Sequence, residues 1–200
     1  MSGSREGGRA LRHQSETITG LSVQDLLRGE EYIDCVFEGC RWQGLRVENC
    51  TFAGCTFRKC QWSGVVFSFT KMTDARLEGC AFRGIAWGGL RGKSALAQTL
   101  ASVKNCMFQY NDFSGMALTG FDFSGSEFRD CRFDNCKLTG AGFRGVRLGE
   151  SQFTRCALDK ADFRDAEGYV IDPAVNTLKG ARFSFPDVVR LLDGTGIRIE

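Results

Sequence analysis

Histidine and proline are almost missing from this chain. Its 200 residues hold one histidine, His13, and two prolines, Pro173 and Pro186. A lone histidine rules out a His-rich metal shell and leaves no obvious general base for catalysis. No apolar run approaches the ~18 residues that a membrane span requires. Met1 to Gln14 is polar and glycine-rich and lacks the apolar segment of a secretory signal. The expectation is a cytoplasmic location with no membrane contact. Residues 1–16 read as a mobile N-terminal tail, which would place His13 outside the ordered body. Ten cysteines are present, yet no CxxC pair occurs among them. No glycine-rich loop follows a strand and opens a helix as a phosphate cradle would.

What is abundant is periodicity. From Tyr32 every fifth residue is large and apolar: Phe37, Trp42, Val47, Phe52, Phe57, Trp62, Phe67, Met72, Leu77, Phe82, Trp87. The pattern slips and resumes at Val103, running through Phe108, Phe113, Leu118, Phe123, Phe128, Phe133, Leu138, Phe143, Leu148, Phe153, Leu158 and Phe163. A period of five suits neither a helix nor a flat strand. Two residues before each centre the chain is usually small, as at Cys35, Cys55, Ala75 or Ser126. Two residues after it, glycine is frequent, as at Gly39, Gly64 or Gly120. Each pentad therefore offers a large and a small inward residue, two solvent residues and a corner. Glycine suits the corner because it accepts positive φ without steric cost.

Residues 20 apart repeat in kind: Leu118, Leu138, Leu158 and Leu178, or Phe113, Phe133 and Phe153. Four pentads per coil explain this, with coils stacked at about 4.8 Å by strand-like bonds. The fold class is then all-β, a filled solenoid without a cleft, and no enzymatic activity and no cofactor are expected. All ten cysteines occupy the small inward position, where a thiol acts as a small buried apolar group. Reduced thiols are expected, with no metal site. The periodic pattern resembles the pentapeptide-repeat family, and that resemblance implies a right-handed quadrilateral β-helix over residues 17–184.

The repeat is interrupted at residues 88–101. Ser94 is placed to cap a short helix from Ala95 to Leu100, so a protruding loop or helical turn is expected. It reads either as a contact site, in which Arg91, Lys93, Ser94 and Leu96 would meet a partner, or as a tolerated insertion. After Phe163 the pattern loosens, and residues 185–200 carry a helix signal from Pro186 to Gly194 and then Ile197 and Ile199 alternating with charges. That helix either covers its own coil or pairs with a second copy.

The wording from Tyr169 to Ser184, followed by Pro186 to Leu192, resembles the tail of the topoisomerase-protecting pentapeptide-repeat group, the quinolone- and albicidin-resistance proteins Qnr, MfpA and AlbG. The central interruption and the length suit the albicidin-resistance type. The resemblance implies a head-to-head homodimer whose surface would include Phe185, Val188, Val189, Leu191, Leu192, Ile197 and Ile199. It also implies a DNA-mimicking rod that binds DNA gyrase or topoisomerase IV, protects it from quinolones or albicidin, and does not itself bind nucleic acid. About eight coils give a rod of roughly 38 Å. Two end to end give roughly 80 Å, near 23 base pairs of duplex at ~3.4 Å each.

Charge fits that expectation only partly. The net charge is +2, so a mimic would need one acidic face. Asp112, Asp122, Glu127, Asp130 and Asp162 are candidates, with Arg129, Arg144 and Arg164 interleaved. The alternatives are an ordinary salted surface on a general protein-interaction scaffold and, less compatible with a filled interior, direct drug sequestration.

Overall fold

The computed structural model of the chain describes residues 11–21, 25–90, 98–193 and 196–197. Most strands are three residues long, a pentad centre with its two flanks, and the paired strands run parallel. Glu31–Ile33 lies on Thr51–Ala53, which lies on Lys71–Thr73, so Tyr32, Phe52 and Met72 form one column. Phe37, Phe57 and Leu77 form the next. Trp42, Trp62 and Phe82 follow, then Leu27, Val47 and Phe67. These columns define faces A, B, C and D of a four-sided coil. The centres Phe52, Phe57, Trp62, Phe123, Phe128, Phe133, Phe143 and Phe153 are all buried. Ladder spacing sets ring spacing. Trp42 and Trp62 stack at 4.7 Å and 7°, Phe133 and Phe153 at 4.6 Å and 2°.

The corner two residues past a centre is left-handed almost throughout, whatever residue occupies it, Gly89 and Phe185 being exceptions. Gly39 and Gly64 have φ of 63° and 60°, but Asp34, Lys59, Tyr110 and Arg155 share that region at 52°, 50°, 55° and 52°. A non-glycine residue there costs on the order of 1–2 kcal/mol. The stacked ladder above and below over-determines the turn and holds it in place.

Corners come in two kinds, with or without a closing hydrogen bond, and cysteine follows only the second. After Phe113, Leu118, Phe123, Leu138, Phe143, Leu158, Phe163 and Leu178, the centre carbonyl accepts the N–H three residues on, closing a turn. The residues that follow are Met116, Phe121, Ser126, Ala141, Val146, Ala161, Ala166 and Ala181, none of them cysteine. Every cysteine instead follows an open corner. Cys35 and Cys106 donate to the carbonyl two residues before them. In the other eight of the ten the thiol donates to a centre carbonyl one coil earlier, as Cys60 does to Phe37 at 3.3 Å and Cys136 to Phe113 at 3.0 Å. Thr70, Asn111 and Asn176 do the same to Val47, Phe82 and Phe153. The cysteines are thus more than space-fillers: their thiols also donate to main-chain carbonyls of the stack. All ten are buried and free of disulfides.

The interruption is absorbed in a single coil. Val103 lies beneath Leu77 and Phe108 beneath Phe82, so that coil is six residues longer than its neighbours and the columns continue in register. The surplus falls between Leu90, which follows Trp87 on the D side, and Gln98. By Gln98 and Thr99 the chain is back under Asp74 and Ala75, bonding their N–H groups at 2.9 and 3.2 Å. Leu100, expected to end a helix, begins the strand Leu100–Lys104 because its pairing with Ala75 already belongs to the ladder. Ala95 to Ala97 lie outside the described residues.

The start of the ordered body needs correction. Arg12–Gln14 pairs with Glu31–Ile33, and His13 stacks on Tyr32. Residues 12–16 are therefore the first coil rather than a mobile tail. The cause is a phase slip: Ile18 and Leu27 are nine residues apart instead of ten, which hides His13 and Ile18 from a five-residue count taken back from Tyr32.

Candidate protein-interaction surfaces

The expected acidic residues do not form one stripe. Only residues a full coil apart share a column, and Asp122 and Asp162 do so on face B with Gly142 between them. Asp112 lies on face D beneath Ala86 and above Arg132. Glu127 is on face C, and Asp130 is at the corner beyond it. Several are already engaged. Asp112 accepts from the main chain and hydroxyl of Ser114. Asp122 accepts from Ser124 N–H at 2.9 Å. Arg164 grips Asp162 at 2.6 and 2.9 Å, and its guanidinium holds that carboxyl down at about 2 against the opposing effect of burial.

A group of carboxylates lies on the C-terminal part of face C. Glu127, Arg147 and Glu167 follow one another down a column, with corner residues Asp130 and Glu150 beside them. Together with Arg129 they line a shallow cavity of about 410 Å³. Opposite charges alternate there, so the field is local.

The C-terminal end is apolar. Asp187–Leu192 forms a 3-10 helix in place of a longer α-helix. Asp187 accepts the Gly168 N–H at 3.3 Å, and Arg190 reaches the Tyr169 carbonyl and Glu150, both at 3.4 Å. Val188, Val189 and Leu191 are half-buried against the last coil. Phe185, Leu192 and Ile197 face outward, Phe185 with 82% and Ile197 with 59% of its surface exposed. Ile199 lies outside the described residues, as do Arg91, Lys93, Ser94 and Leu96 of the interruption. Beside that interruption the ring of Phe69 stands 87% exposed on a left-handed corner with φ 50°. Among the described residues no helix is long and apolar enough to cross a membrane, and no group of three His, Cys, Asp or Glu is placed to hold a metal.

Four faces, parallel ladders and a filled interior define a quadrilateral β-solenoid of about eight turns. The family described as "Right handed beta helix region" matches residues 32–172, and the chain belongs to it. No curated protein matches the sequence. Among solved structures, the chain is similar to QnrB1, a plasmid-mediated fluoroquinolone resistance protein, at 18% identity, 94% of this chain, 99% of that one and a TM-score of 0.39. It is similar to HetL of Nostoc sp. strain PCC 7120, a pentapeptide repeat protein involved in heterocyst differentiation regulation, at 17% identity over 88% and 87% of the two chains, TM-score 0.45. A pentapeptide repeat protein of the Arabidopsis thaliana thylakoid lumen shares 30% identity over 35% of this chain and 56% of its own, TM-score 0.27. The fold assignment rests on the ladder register and the family match, not on these overlaps.

Proposed function

We propose that this protein is a non-enzymatic rod that pairs through its C-terminal end, binds DNA gyrase or topoisomerase IV, and protects the enzyme from poisons such as quinolones or albicidin. The observation that carries this reading is the apolar end built by residues 169–197. Its sequence resembles the tail of the topoisomerase-protecting group, and it presents Phe185, Leu192 and Ile197 outward. The rigid stack supports a rod of fixed length, and the carboxylates of face C supply the acidic part of its surface. The test is supercoiling by purified gyrase with quinolone or albicidin present, titrating the protein. Restored supercoiling, or inhibition without drug, is the expected result. Neither effect at any concentration overturns the reading.

A general interaction scaffold with no role in resistance is the second reading. It is favoured by the arginine pairing of the carboxylates, which weakens DNA mimicry: Asp134, for example, is held by Arg155 at 2.6 Å and Arg132 at 3.3 Å. Capture of partners from lysate on the immobilised rod separates the two, because the first reading requires a topoisomerase subunit among them.

A further inference from the structure

The molecule's one histidine makes a contact that none of these surfaces uses. His13 stacks on Tyr32 with ring centroids 4.7 Å apart and 12° between planes. Its Nδ1 lies 3.0 Å from Glu16 Oε2 and its Nε2 3.1 Å from Glu30 Oε2. The same Glu30 oxygen accepts the Tyr32 hydroxyl at 2.7 Å. A neutral imidazole has one N–H and one lone pair. It can donate to only one of these glutamates, and its other nitrogen then faces a carboxylate lone pair to lone pair. The imidazolium donates to both.

The surrounding charges do not relieve that conflict. On His13's own strand Arg12 turns to Glu31, at 3.8 Å. From the coil beneath come Glu30, Glu31 and the Tyr32 phenol, and below Tyr32 the thiols of Cys35 and Cys50. Among the described residues no lysine or arginine forms an ion pair with Glu16 or Glu30. The first coil is otherwise held by its two short ladders, Arg12–Gln14 on Glu31–Ile33 and Thr17–Thr19 on Val36–Glu38, and by the bonds that flank them. Glu31 N–H donates to Leu11 at 2.9 Å, Ser15 to Ile33 at 2.9 Å, Val36 to Glu16 at 2.8 Å and Gly20 to Glu38 at 2.9 Å.

We propose that His13 is a proton-operated latch on the N-terminal coil. Protonated, it clamps residues 11–20 over the end of the solenoid. On losing its proton it releases them and bares the strand edges Glu31–Ile33 and Val36–Glu38. With the coil in place the outermost edges are Arg12–Gln14 and Thr17–Thr19; with it released they are Glu31–Ile33 and Val36–Glu38, so the latch sets which unpaired N–H and C=O groups this end presents to another strand. The hydrogen bond to Glu16, and secondly that to Glu30, raises the His13 pKa above its usual 6.5, against the opposing pull of burial. A raised folded-state pKa gives stability that is complete below the unfolded value and is lost as pH climbs through the folded one. The coil is therefore closed in mild acid and opens in the window just above that of an ordinary histidine.

Because the full chain has a single histidine, its imidazole Hε1 resonance titrates without overlap. Amide hydrogen exchange, corrected for the intrinsic rate at each pH, reads the protection of Ser15, Gly20, Glu31 and Val36, with the amides of Phe57 and Phe133 as a mid-rod reference. The expected result is a midpoint above 6.5, with protection of the four amides falling across it by about tenfold for each pH unit by which the measured midpoint exceeds the ordinary value, and the reference unchanged. In the doubly substituted Glu16→Gln, Glu30→Gln chain the midpoint returns to the ordinary value. In His13→Gln the pH step vanishes. A wild-type midpoint at or below 6.5, or protection that stays level through the titration, overturns the latch without recourse to any variant. A step that persists in His13→Gln does so as well.

Discussion

At the N-terminal end the face A column begins with His13, whose ring edges meet Glu16 and Glu30. At the C-terminal end the face B column closes with Phe183 stacked on Phe163, and the next corner turns Phe185 outward. The first end is finished with charge and hydrogen bonds, which water tolerates. The second exposes hydrocarbon, which water does not. A rod with two sticky ends would polymerise. One sticky end, meeting its own copy about a two-fold axis, gives a closed pair. On the proposed pairing, the difference between the ends would limit assembly to a finite particle.

The largest expected effect is a control common to both ends. Phe128 lies mid-rod and fully buried, and Phe128→Ala should cost roughly 3–5 kcal/mol in denaturant unfolding. A much smaller loss would mean that the stack does not transmit stability to its ends. Next is assembly. Phe185→Asp combined with Ile197→Asp should leave a monomer in sedimentation at concentrations where the wild type pairs, whereas Leu11→Asp at the other end should not change the mass. Dissociation by Leu11→Asp alone would reverse the assignment of ends.

A smaller effect is expected at Asn176. It accepts the Cys156 N–H at 2.8 Å and donates to Phe153 at 2.9 Å and Asp172 at 2.8 Å. Asn176→Ala leaves buried main-chain groups unpaired, at a cost of about 1–3 kcal/mol, and hydrogen exchange should place the loosening in the C-terminal coils alone. The smallest effect is at Arg144, whose pair with Asp165 at 3.3 Å is exposed on both sides. Arg144→Ala should shift stability by less than about 0.5 kcal/mol. A larger shift would show that surface ion pairs, rather than the interior, hold the coils together.

The interior was legible in the sequence because burial enforces it strictly. A pentad centre that is not bulky leaves a void, and its column then shows a gap. Three features were less legible, each for a physical reason. The first coil was hidden because one residue is missing between Ile18 and Leu27, and because His13, a polar ring, stacks like an apolar one. The two corner types were hidden because the following inward residue does not decide them: Ser126 follows a closed corner, while apolar Leu45 and Val65 follow open ones. The column shared by Asp122 and Asp162 was legible from their spacing, but which of these acids are already engaged, as Asp162 is by Arg164, was not, because side-chain pairing has no spacing signature.

Leu90 and Gln98 bracket a coil that carries six surplus residues while Phe82 and Phe108 still meet ring to ring at 5.2 Å. The length of the excursion is thus uncoupled from the phase of everything downstream. A segment grafted between those two positions would be carried at a fixed height along the shaft, and exchanging one graft for another would re-aim the molecule at a new target without refolding the remainder.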